Sequence, residues 1–116
     1  MKALLATLRE AAAEIRRLET IAHTLLYENG DQQAYHDQLR QKAIVLSELA
    51  EKVLLPDIPP QLNTQIQERV GSFSFEAGRA LKLDSVFYMS VLLYPEDYQK
   101  GMPNELENLI DQLMLC

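Results

Sequence analysis

The 116-residue chain has the composition of a single globular domain, with 47% hydrophobic and 24% charged residues. This balance excludes wholesale disorder, and the chain is long enough to bury a core without disulfides or metal. The formal net charge of −6 argues against a nucleic-acid partner, because such affinity comes largely from lysine and arginine that neutralise phosphates. Solubility is the simplest role for the acidic charge, and attraction of a basic protein partner is the alternative.

The cysteine content and the N-terminal residues bear on the compartment. Cys116 is the single cysteine, so an intrachain disulfide is excluded and nothing points to an oxidising compartment. The apolar run at residues 3–8 ends at Arg9 and Glu10, which makes it too short for a signal peptide or a membrane span. We therefore expect a cytoplasmic protein without a membrane partner.

The first element is a helix over residues 2–28 with a heptad-spaced apolar face. That face consists of Leu4, Leu8, Ala11, Ile15, Leu18, Ala22 and Leu25. The alternating steps of four and three place these side chains on one side of a helix, which must be buried against another helix. The helix is expected to end at Asn29 and Gly30, since both residues tolerate the left-handed conformation that closes a helix.

The second element is a helix over roughly residues 31–55, with Asp31 as its expected N-cap. Its apolar face has the same spacing as the first and is interrupted once, at Lys42. Two helices joined by so short a turn must fold back as an antiparallel hairpin. The sequence therefore predicts a helical hairpin over residues 1–55.

The second half of the chain follows a proline-rich connector at residues 56–60, and three shorter helices are predicted within residues 61–116. One runs from about Pro60 to Lys82. The next covers residues 85–94 with Asp84 as its N-cap, and it is apolar nearly all round, which predicts a central, buried helix. The last begins with Pro103 at its first position.

These elements predict an all-α fold, a four- to five-helix bundle that forms one domain over residues 1–116. The second half either covers the whole apolar face of the hairpin or leaves part of that face for a partner. Self-association through the remaining hairpin face is the expectation, with a homodimer as its simplest form.

A strip of small residues on the third helix, Gly71, Ser74 and Gly78, is one candidate site. Each helical glycine costs up to about 1 kcal/mol relative to alanine, so a compensating reason is expected. Close approach of a neighbouring helix is the simplest one. The alternative is a small-molecule pocket on the exposed backbone, which His23 and His36 from the hairpin could complete.

The two histidines support further hypotheses. His23 and His36 flank the hairpin turn and could titrate as a pair, although two independent surface histidines are the simpler interpretation. Arg16 and Arg17 precede His23, which fits loosely the arginine-then-histidine pattern of helical RNA-cleaving domains, with Arg17 and His23 as the pair considered. The chain has no metal-ligand spacing, no phosphate-binding loop and no nucleophile motif, so neither a cofactor nor a catalytic residue is predicted.

A candidate interface lies at the acidic turn formed by Tyr94, Glu96, Asp97 and Tyr98. Tyrosine beside carboxylates is common at protein interfaces, because the ring offers apolar area and a polar tip. The alternative is that both tyrosines close over the end of the core.

The leading functional hypothesis is a non-enzymatic protein–protein interaction module, an adaptor, chaperone-like or regulatory bundle that self-associates. The second is a small-molecule-binding or catalytic bundle with a pocket near Gly71 and Gly78. The RNA-cleaving domain that uses Arg17 and His23 ranks below both.

Overall fold

The computed structural model describes residues 1–53 and 58–115, which form five α-helices and no β-strand. The helices are α1 (Lys2–Tyr27), α2 (Gln32–Lys52), α3 (Pro60–Leu83), α4 (Val86–Val91) and α5 (Glu105–Met114). The all-α fold predicted from the sequence is confirmed. Residues 54–57 of the hairpin end and connector, and the thiol of Cys116, lie outside the described residues.

The turn between α1 and α2 has the predicted structure. Gly30 is left-handed, with φ of 65°. The amides of Gly30 and Asp31 donate to the carbonyls of Leu26 and Leu25, which satisfies groups left free at the helix end. The Asp31 carboxylate then accepts from the amide of Ala34 and caps α2. The two long helices pack along each other as the predicted hairpin.

The apolar face of the hairpin is covered by the rest of the chain. Leu4, Leu8, Ile15 and Leu46 are fully buried, and each contributes about 1.5–3 kcal/mol through burial. α5 packs on α1, while α3 and α4 pack on α2, so α2 is the central helix. Among residues 1–53, Tyr27 is the one exposed large hydrophobic residue, so the hairpin offers a partner little apolar area.

α4 differs from its prediction. It spans only Val86–Val91, and Met89 is its single buried residue. The prediction of a central, buried helix over residues 85–94 is wrong, because one and a half turns can place only one side against α2 and α3. Leu92 and Leu93, which follow the helix, are buried. The remaining sides of α4 face solvent.

Two helix starts are shifted from the expected residues. Asp84 ends α3 in the left-handed conformation, with φ of 49°, and the hydroxyl of Ser85 caps α4 by accepting from the amide of Tyr88. α5 begins after Asn104, which forms a reciprocal capping box with Glu107. Pro103 therefore precedes the cap and is not the first helical residue.

Candidate functional site

A buried ion pair joins the two hairpin helices. Lys42, the residue that interrupts the apolar face of α2, is fully buried, and its Nζ lies 3.0 Å from Oε2 of Glu19 on α1. Nζ also donates to the carbonyl oxygen of Ser90, at 3.2 Å. Burial lowers the pKa of Lys42, and the Glu19 carboxylate opposes that effect. These partners compensate the cost of removing the ammonium group from water.

Tyr94 covers this ion pair. Its ring centroid lies 5.0 Å from Nζ of Lys42, and its hydroxyl donates to Oε1 of Glu19 at 2.7 Å. The same hydroxyl accepts from Nη1 of Arg16 at 3.1 Å. Burial, followed by the hydrogen bond to Glu19, raises the pKa of Tyr94, so the hydroxyl stays protonated and remains a donor.

Arg16 connects this arrangement to α5. Its Nε and Nη2 donate to the two carboxylate oxygens of Glu107, at 3.1 and 2.7 Å. Nη2 also donates to the carbonyl of Met102 in the segment before α5. The five side chains that make these contacts, here called the polar cluster, are Arg16, Glu19, Lys42, Tyr94 and Glu107. Through these contacts, Arg16 and Glu19 connect α1 to α2, to the start of α5 and to the segment between α4 and α5.

A cavity of about 540 Å³ opens beside the polar cluster. Arg16, Glu19, Lys42 and Tyr94 contribute to its wall, with the fully buried Lys42 at its inner end. Exposed Lys100 lies at its mouth, in the segment between α4 and α5. The wall thus carries three cationic side chains and one carboxylate, in a chain whose net charge is −6.

A cavity of about 280 Å³ lies between α3 and residues 88–94, and its wall includes Ser72, Phe73 and Arg79 but none of the three small residues of the strip. The Ser74 hydroxyl donates to the carbonyl of Leu46 and accepts from the amide of Ala50, which fastens α3 to α2. A Cβ atom added at Gly71 or Gly78 would meet no atom within 4 Å. The expected close approach of a neighbouring helix at these glycines is therefore wrong, and the cavity beside Lys42 is lined by other residues.

The two histidines lie in different surroundings. The ring of His23 contacts that of Tyr27 at 4.5 Å between centroids, with the two planes tilted by 39°, and it lines the cavity beside Lys42. Nε2 of His36 lies 2.8 Å from Oδ1 of Asp84, which also accepts from Arg40. The structure therefore does not combine the histidines into one site, and each has its own partner.

Arg17 and His23 also point in different directions. They are six positions apart on α1, which separates them by about 120° around the helix. The Arg17 guanidinium donates to the carboxylate of Glu14 on the exposed side of α1. The arrangement does not direct both side chains at a common substrate position.

The tyrosines of the acidic turn make contacts within their own chain. The rings of Tyr94 and Tyr98 meet edge to face, with 4.6 Å between centroids. The Tyr98 hydroxyl donates to the carbonyl of Met102 at 2.7 Å. Both tyrosines are half-buried, while Glu96 and Asp97 are exposed. This geometry favours the interpretation in which the tyrosines close over the core, and it leaves the two carboxylates at the surface.

An exposed apolar surface at α4 was missed by the sequence interpretation. We call it the α4 surface, and it consists of Leu83, Val86, Phe87, Tyr88 and Val91, which are 36–67% exposed. Phe87 and Tyr88 meet edge to face at 5.6 Å. The signal available in the sequence was an all-round apolar segment too short to be covered on every side.

No family model, curated protein or solved structure matches the chain. Within residues 1–53 and 58–115, no group of three or more His, Cys, Asp or Glu side chains could hold a metal ion. None of the described helices combines the length and apolarity needed to cross a bilayer.

Proposed function

We propose that this protein is a non-catalytic protein–protein interaction module that self-associates by pairing its α4 surface with that of a second copy. The observation that carries the proposal is the exposure of five large apolar side chains within residues 83–91. Phe87 and Tyr88 alone expose roughly 170–290 Å², at 150–250 Å² for a free aromatic side chain, and the three aliphatic residues add to that area. The largest apolar patch on a typical monomer is about 300–600 Å², and such a patch is often functional.

The distribution of charge favours a second copy as the partner. Two chains that each carry −6 repel one another unless the contact contains few charges. Residues 85–94 contain no charged side chain, and Asp84 is paired with His36 and Arg40 at 2.8 Å. The α4 surface is therefore a place where two acidic copies can meet with little repulsion, and a two-fold axis matches apolar area with apolar area.

The size of the surface sets the strength of the proposed dimer. A stable interface buries about 800 Å² on each partner, more than the α4 surface alone supplies. Neighbouring polar side chains of α3, such as Glu76, Arg79 and Lys82, would form the rim. We therefore expect a reversible dimer that dissociates on dilution.

The test is the mass of the full chain in solution across a dilution series. Wild type should approach twice its 13.2 kDa monomer mass at high concentration, and Phe87→Ser should shift the equilibrium toward monomer. Phe75→Ser is the matched control, because Phe75 on α3 is 68% exposed against 67% for Phe87. A wild-type monomer at every concentration, or equal effects of the two substitutions, would contradict the proposal.

A further inference from the structure

The cavity beside Lys42 has the size of a ligand site. Its volume of about 540 Å³ lies within the range of roughly 300–1,000 Å³ that is usual for small-molecule pockets. It reaches from the buried ion pair of Lys42 and Glu19 to the exposed Lys100. A molecule in it would contact α1, α2 and the segment before α5.

The charges in the wall favour an anion. Arg16, Lys42 and Lys100 outnumber the single carboxylate of Glu19. Arg16 and Lys42 are paired with Glu107 and Glu19, so their charges are largely neutralised, and Lys100 supplies the uncompensated positive charge of the wall. Within the described part of the chain, the exposed ammonium group of Lys100 has no ion-pair partner. It is therefore available to pair with a bound anion.

One wall of the cavity is aromatic. His23, Tyr27 and Tyr35 contribute to it, and the rings of His23 and Tyr27 are in contact. Burial, followed by the neighbouring Tyr27, raises the pKa of Tyr35, so its hydroxyl remains a donor at neutral pH. A planar ligand can stack on this wall and accept a hydrogen bond from it.

We propose that this cavity binds a small organic anion with a planar body, such as an aromatic carboxylate. The anionic group lies at the mouth near Lys100, and the ring lies against His23 and Tyr27. The inference is independent of the proposed self-association, because the α4 surface lies outside this cavity wall.

The experiment is an NMR titration of the full chain with benzoate, 4-hydroxybenzoate and 4-hydroxyphenylacetate, each compared with its neutral amide. At least one acid should bind at millimolar concentration or below, about tenfold more tightly than its amide. The shifted backbone amides should be those of residues 20–27, Tyr35 and Lys100.

Lys100→Glu tests the anion contact without risk to the fold, because Lys100 is exposed. It should weaken binding of the acid by about tenfold or more. Lys82→Glu, an equal charge change at an exposed lysine of α3, should leave affinity within about twofold, since solvent and salt screen distant charges. Lys42→Met is avoided because it would leave Glu19 without its buried partner.

Three results would each overturn the proposal. The first is no saturable binding of any of the three acids. The second is equal affinity for acid and amide, or equal weakening by the two lysine substitutions. The third is a set of shifts confined to the α4 surface around Phe87, which would indicate adsorption to exposed apolar area.

Discussion

The ammonium group of Lys42 and the carboxylate of Glu19 lie 3.0 Å apart inside the hairpin, one on each of its helices. Heptad spacing alone would allow α1 to slide past α2 by one or two turns. A charge pair at a single height stabilises one register, because any other alignment leaves both groups buried without a partner. Lys42 and Glu19 therefore fix the register of α1 against α2, because they lie on facing helices.

We predict that Glu19→Gln destabilises the protein by about 3 kcal/mol, because it leaves the Lys42 ammonium buried without its counter-charge. Urea denaturation measures this change. Glu14→Gln is the control, since Glu14 pairs with Arg17 at the surface and its loss should change the unfolding midpoint little. A midpoint for Glu19→Gln that matches the control would show that the pair does not hold the hairpin.

The Arg16–Glu107 contact predicts a loss of stability in acid. Hydrogen bonding from Arg16 lowers the pKa of Glu107, so the folded state binds this proton less readily than the unfolded chain. The stabilisation is complete above the ordinary glutamate pKa of about 4.3 and is lost as pH falls through the lower folded value. Melting temperatures of wild type and Glu107→Gln should differ near neutral pH and begin to converge only as pH falls below the ordinary glutamate pKa of about 4.3.

Glu105→Gln is the control for that comparison, because Glu105 lies in the same first turn of α5. Both glutamates interact with the helix dipole in a similar way. They differ in that Arg16 pairs with Glu107. A pH-independent difference between wild type and Glu107→Gln would contradict the assignment.

The glycines of α3 should respond differently from the glycine of the hairpin turn. Gly71→Ala and Gly78→Ala should each stabilise the protein by up to about 1 kcal/mol, since both lie inside a helix with open space at the Cβ position. Gly30→Ala should destabilise it, because Gly30 has φ of 65°. Thermal melts of the three variants check the ordering. A loss of stability for Gly71→Ala or Gly78→Ala would imply a contact at the strip that the fold does not contain.

Asp84 predicts an order of stability among three variants. It combines a left-handed backbone with contacts to His36 and Arg40. Asp84→Asn removes the charge, and asparagine tolerates the left-handed conformation. Asp84→Gly removes the side-chain contacts but relieves the backbone strain of that conformation. Asp84→Ala loses the contacts and keeps the strain, so it should have the lowest melting temperature. Equal melting temperatures for the Gly and Ala variants would contradict the backbone contribution.

The hairpin could be predicted from the sequence because its signals are local. Asn29, Gly30 and Asp31 specify the turn by their own conformational preferences, and heptad spacing specifies the buried faces. The partner of Lys42 could not be predicted in the same way. A lysine on an apolar face indicates a buried charge, but the register that brings Glu19 to it is a tertiary property.

The exposure of α4 was missed because the apolar pattern was interpreted without regard to the length of the helix. An apolar segment indicates burial, yet the outcome depends on how many neighbours surround it. Here the helix ends at Val91. Leu93 adopts the left-handed conformation, with φ of 74°, and both Leu92 and Leu93 are buried. Ser85 and Asp84 are both good capping residues, so pattern alone could not choose between them.

The carbonyl of Ser90 lies between two sides of the molecule. It accepts a hydrogen bond from Lys42 at the cavity wall, and its helix carries Phe87 on the outside. One peptide group therefore lies between the two surfaces for which binding is proposed. Because Lys42 is held by Glu19, an anion bound near Lys100 would leave this hydrogen bond intact, and dimerisation should then leave the affinity for that anion unchanged.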